Sequence, residues 1–113
     1  MGRDLTRGDM PALVLAALAT NPAHGYAIAR SIEEKSGRAF HMKEGTLYPV
    51  LRTLEADGLI SGEWEVQQSG PARKVYRITE RGLSELASRR RDWDDYAAIM
   101  QALLGGKSDA QPA

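Results

Sequence analysis

The spacing of apolar residues changes period twice along this chain, and that limits the chain to a narrow set of folds. From Met10 to Gly58 apolar side chains recur every three and four residues, the period of helices that each bury one face. Past Gly58 they alternate, as in Glu63-Trp64-Glu65-Val66, which suits a strand covered on one side. From Glu80 the helical period returns and runs to Leu104. Three helices, a hairpin and a long final helix, in that order, predict a mainly α fold with a small β-hairpin: a winged helix-turn-helix followed by a C-terminal helix.

The boundaries follow from punctuation. A first helix from Asp9 to Thr20 places Met10, Leu13, Val14, Ala17 and Leu18 on one face, with Pro11 in its first turn and Asn21-Pro22 ending it. A second, from about His24 to Ser36, carries Ile28 and Ile32 inward and stops at Gly37. The third lies in GTLYPVLRTLEADG, Gly45 to Gly58, with Leu47, Val50, Leu51 and Leu54 on one face and Thr46, Tyr48, Pro49, Arg52, Thr53 and Glu55 on or near the other. Proline has no N–H to donate inside a helix, so Pro49 sets the helix start within about a turn of Gly45. The turn-rich run from Gln67 to Arg73 joins two strands, with Tyr76 and Ile78 as the inward residues of the second. Trp64, alternating with glutamates, is expected in the core. The resulting domains are 9–79 for the winged helix-turn-helix, 80–104 for a dimerisation helix and 105–113 for a disordered tail.

Composition excludes more than it assigns. The 113 residues, 42% hydrophobic, suffice for one compact domain. With no cysteine, neither a disulfide framework nor a thiolate metal site is open to it. His24 and His41 lack metal-ligand spacing, no Ser-His-Asp set or phosphate-cradling glycine loop is evident, and no cofactor, metal or catalytic residue is expected. His24, before Gly25, reads as a packing or capping residue. The apolar run ALVLAALA is too short to span a bilayer and lacks a signal-peptide layout, which points to the cytoplasm. Fifteen Lys and Arg balance fifteen Asp and Glu, so total charge gives no support for nucleic-acid binding and equally permits a winged helix that binds protein. The case for DNA rests on where the charges sit.

In a helix-turn-helix, the second helix of the motif enters the major groove by its N-terminal end. That puts Thr46, Tyr48, Pro49 and Arg52 at the groove, with Lys43 just before it. The wing would add Arg73 and Lys74, while Arg77 is either a further contact or an exposed strand residue. Tyr48 has two readings, a DNA contact or packing against the neighbouring helix. Glu44, Glu55 and Asp57 would repel phosphate and are expected to face away or to orient neighbouring cations.

The final helix keeps Leu86, Trp93, Ala97, Met100 and Leu104 at nearly heptad spacing, interrupted by Arg90, and Leu83, Tyr96, Ile99 and Leu103 broaden the stripe. So much apolar surface on a small domain calls for a second copy of the chain. Trp93, with Ala97 and Met100, would then anchor the dimer or line a gap that takes a flat apolar effector.

His24-Gly25-Tyr26, GTLYPVLRTLEADGLI from Gly45 to Ile60, Trp64, and GPARKVYRITERG from Gly70 to Gly82 occur here in one order. Together they make the chain resemble the PadR-like transcriptional regulators over about Met10 to Leu104. The resemblance implies a dimer built through the C-terminal helix, with the Tyr48 helix in the major groove of a palindromic operator and the hairpin as wing. It also implies a repressor released by a small aromatic or hydrophobic effector bound near Trp93.

Overall fold

The computed structural model describes residues 9–105. The elements are α1 (Met10–Thr20), β1 (Ala23–His24), α2 (Gly25–Lys35), α3 (Glu44–Ala56), β2 (Ile60–Glu65), β3 (Arg73–Ile78) and α4 (Glu80–Leu104). Every helix expected from the apolar period is present. The expected tail falls outside the described residues apart from Gly105.

At the centre, α1 touches α2, α3, β3 and α4. Met10, Val14, Leu15 and Leu18 are buried, and Leu13 and Ala17 pack against the core, so α1 is apolar on nearly every side, as a helix surrounded by others must be. Ile28 and Ile32 of α2, Met42 just before α3, Leu47, Leu51 and Leu54 of α3, Ile60 of β2, Tyr76 of β3 and Leu86 of α4 complete the same core. A side chain the size of leucine contributes about 1.5–3 kcal/mol when fully buried.

The helices α2 and α3 stop by one device. Past Ser36, Gly37 takes a left-handed φ of 64° while its N–H and that of Arg38 return to the carbonyls of Glu34 and Glu33. Past Asp57, Gly58 takes φ 77°, with its N–H and that of Leu59 returning to Glu55 and Leu54. Each is the paired 5→2 and 6→1 hydrogen bonding that satisfies the last carbonyls of a helix and needs a residue tolerant of positive φ.

The sheet is antiparallel in the order β1-β3-β2. Ile60 faces Ile78, Gly62 faces Tyr76, and Trp64 faces Lys74 across β2 and β3. Alternation therefore puts Trp64 on the inward face, as expected, but not in the core. Exposure rises along β2 from 2% at Ile60 to 70% at Trp64, because the hairpin outruns the helices that cover its base. Strand β1 was not anticipated. It is two residues long, Ala23 opposite Tyr76 and His24 opposite Val75, too short for alternation to register.

Thr79 joins the sheet to α4. Its hydroxyl lies 2.8 Å from the Gly58 carbonyl oxygen and 3.0 Å from that of Leu59, and it accepts the Gly82 N–H at 3.0 Å, capping the helix. Gly82 sits so close to the Leu59 carbonyl and the Ile78 side chain that a Cβ has no room. Beyond Arg89 the helix has no buried residue. Its 25 residues span about 37 Å at 1.5 Å per residue, within a longest dimension of 64 Å. None of the described helices is long and apolar enough to cross a membrane.

Candidate nucleic-acid interface

The inward face of α3 is fixed by Leu47, Leu51 and Leu54, and this leaves Lys43, Thr46, Tyr48, Pro49 and Arg52 together on the outward one, all exposed. No side chain caps α3. The Lys43 carbonyl accepts the N–H groups of Thr46 and Leu47, so the N–H donors of Glu44 and Gly45 stay available at the positive end of the helix dipole. Pro49 is the sixth residue of α3 and offers no donor to the Gly45 carbonyl. The Pro49 carbonyl accepts the Thr53 hydroxyl at 3.1 Å.

Tyr48 packs on the neighbouring helix, the second of its two readings. Its ring lies against the first residue of α2, where a Cβ on Gly25 would fall 2.7 Å from the phenol oxygen and 2.9 Å from the carbon that bears it. Yet 38% of the residue stays exposed. Gly25 is buried, and the lack of a side chain there lets the ring settle. This contact couples the His24-Gly25-Tyr26 and Gly45-Thr46-Leu47-Tyr48-Pro49 segments; the sequence offered packing of Tyr48 on a neighbouring helix, but not Gly25 as the place.

Alternation sorts the wing cations onto two faces. Arg73, Val75 and Arg77 lie on the outer face, where Arg73 sits 3.9 Å from Glu65, its partner across the strands. Lys74 shares the inner face with Tyr76. Its ammonium donates to a Glu55 carboxylate oxygen at 3.0 Å, and it stands 5.5 Å from the centre of the Tyr76 ring. The bond to Glu55 raises the Lys74 pKa above the ordinary lysine value against a smaller opposing effect of desolvation. Lys74, expected to reach phosphate, is thus turned inward and committed to a carboxylate. Among the described residues, Lys43, Arg52 and Arg77 enter no ion pair.

Beside the wing, His24 stacks on Tyr26 with ring centres 6.4 Å apart, and the Arg30 guanidinium lies 5.8 Å from the Tyr26 ring centre. Partial burial pushes the His24 imidazole below its ordinary 6.5, Arg73 adds in the same direction, and Glu65 opposes. His24 packs, as expected, but its side chain caps nothing although it occupies the N-cap position of α2. His41 faces Glu33 at 3.4 Å, and no cluster of three or more metal-ligating side chains occurs among the described residues.

On α4, Leu86 was expected at a dimer surface and is instead 8% exposed, spent on the core of its own chain. Ala97 and Met100 are half-buried, while Trp93 is 63% exposed and Leu104 76%. The rings of Trp93 and Tyr96 lie 5.7 Å apart on open surface, continued by Ile99 and Leu103.

The family model described as Transcriptional regulator PadR-like family matches residues 14–88. A transcriptional regulator of Mycobacterium tuberculosis is 38% identical over 106 residues, covering 94% of this chain and 92% of that protein. Among solved structures, a PadR family transcription regulator from Clostridium difficile superposes with a TM-score of 0.77 at 31% identity, over 87% of this chain and 100% of that one. A PadR family transcriptional regulator from Eggerthella lenta gives a TM-score of 0.77 at 35% identity, over 89% and 86%.

Proposed function

The chain belongs to the PadR-like family of transcriptional regulators, and from that premise we propose that it binds a palindromic DNA operator as a homodimer, represses transcription and catalyses no reaction of its own. The observation that carries this reading is the division of α3, with one face buried as core and the other presenting Thr46, Tyr48, Pro49 and Arg52 beside an unpaired Lys43. Arg52 is the candidate for a base edge or backbone oxygen, Thr46 for a phosphate or thymine methyl, and Arg73 for a phosphate beside the wing. Residues 9–79 are the DNA-binding unit. Residues 80–104 are the dimerisation helix, pairing through Trp93, Ala97, Met100 and Leu104 with Tyr96, Ile99 and Leu103 alongside. A flat hydrophobic effector would bind where two copies bring Trp93, Ala97 and Met100 together.

The test is binding to a duplex enriched from a random-sequence pool by the purified protein, followed by fluorescence anisotropy across a salt series. The enriched sequence should have dyad symmetry, and log K should fall linearly with log salt, by about 0.9 for each phosphate contact. Arg52→Ala and Tyr48→Ala should each weaken binding at constant salt. An affinity indifferent to salt would remove the DNA reading.

A further inference from the structure

The inner face of the wing holds one long cation where apolar residues would be expected. Lys74 alternates with Tyr76 and Ile78, so its side chain starts out beneath the sheet, on the side of α3. It then crosses Gly62 on the neighbouring strand, where a Cβ would fall 2.5 Å from the Lys74 Cε. The chain thus occupies the space that any other residue at position 62 would fill. At its end the ammonium is 3.0 Å from Glu55 and faces the Tyr76 ring, with 28% of the side chain exposed. Glu55 belongs to the last turns of α3 and has 33% of its own side chain exposed.

We infer that Lys74 and Glu55 form a latch that fixes the wing against α3, which makes Lys74 a positioning residue for DNA binding and not a phosphate contact. The inference rests on the DNA-binding reading above and deepens it. The outer face of β3 is left to meet phosphate through Arg73 and Arg77, while Lys74 holds that strand at a set distance from the helix carrying Tyr48 and Arg52. A carboxylate so near the nucleic acid is then useful despite its charge. Repulsion from phosphate is offset by the alignment of two elements that must engage neighbouring parts of one duplex.

The sign of one measurement separates the latch from a direct contact. With the duplex enriched by the wild-type protein, Lys74→Gln and Glu55→Gln should both weaken binding, each roughly threefold to tenfold, in the lower part of the range of coupling between touching side chains. The double variant should be no weaker than the weaker single. The slope of log K against log salt should stay at the wild-type value in all three, because no phosphate contact has been lost. Gly62→Ala, which leaves every charge in place and obstructs the path of Lys74, should weaken binding in the same direction. Thermal unfolding of each variant checks that the fold persists. Tighter or unchanged binding by Glu55→Gln, or a slope reduced by about one in Lys74→Gln, overturns the latch and leaves the DNA reading intact. Salt-insensitive binding by the wild type overturns both.

Discussion

Between Glu80 and Arg89, α4 sinks Gly82 and Leu86 into the core of its own chain, whereas between Arg90 and Leu104 it leaves Trp93, Tyr96, Ile99, Leu103 and Leu104 more than half exposed. The two stretches read alike in sequence, since both place apolar residues on a helical stripe. The difference lies in what stands opposite. The helix packs on α1 and β3, and both of its buried residues lie in the first stretch. Apolar periodicity therefore reports that a face must be covered but not which molecule covers it.

Four substitutions test that contrast, from the largest effect to the smallest. Leu86→Ala should cost about 2–5 kcal/mol in urea unfolding, because it opens a cavity inside the chain's own core. Ile99→Glu should leave the intrinsic stability of the domain within about 0.5 kcal/mol, as an exposed site does. It should also weaken self-association by tenfold or more in sedimentation, as loss of a buried interface anchor does. If Ile99→Glu unfolds the protein as Leu86→Ala does, the two halves of the helix are not distinct. Gly25→Ala belongs to the self-packed region and should spare self-association entirely. It forces the Tyr48 ring aside and should weaken DNA binding by roughly tenfold or less, a loss that vanishes in a Tyr48→Ala background because no ring remains to be displaced.

The smallest effect is one of pH. The folded state holds the His24 imidazole below its ordinary 6.5, so the neutral form is favoured and the unfolded chain binds the proton more readily. The associated stability is complete above 6.5 and is lost as pH falls through the lower folded value. His24→Gln should flatten the melting temperature across that window by a small margin, since the residue is only partly buried, and should not alter self-association in sedimentation.

Much of this was legible in the residues. The bounds of α4, the inward leucines of α3 and the wing hairpin follow from period and punctuation, and the outward set of α3 follows once the inward set is known. Trp64 and Lys74 show where that reasoning stops. Parity assigns both to the inner face correctly, but exposure depends on how far the covering helices reach along the strand, which for Trp64 is not far enough. Lys74 was read as one of three neighbouring cations, and proximity in sequence hid the fact that alternation turns it away from Arg73 and Arg77. Its partner Glu55 lies nineteen residues earlier, a distance no local pattern spans. The packing of Tyr48 on Gly25 is likewise a contact between segments, visible in sequence only as a glycine with no turn to explain it.

The seating of Thr79 against Gly58 and Leu59 also has a mechanical meaning. The residues that end α3 are those on which α4 begins, so the two helices share a joint, and α4 is a lever of about 37 Å pivoting there. A tilt of about 5° at that joint displaces the far end by roughly 3 Å, a helical rise of two residues. In the proposed dimer the far ends are held by each other, and the displacement appears instead as a change in the distance between the two α3 helices. For such a dimer, the spacing of the half-sites would depend on how Thr79 and the closely packed Gly82 seat α4 on Gly58, Leu59 and Ile78.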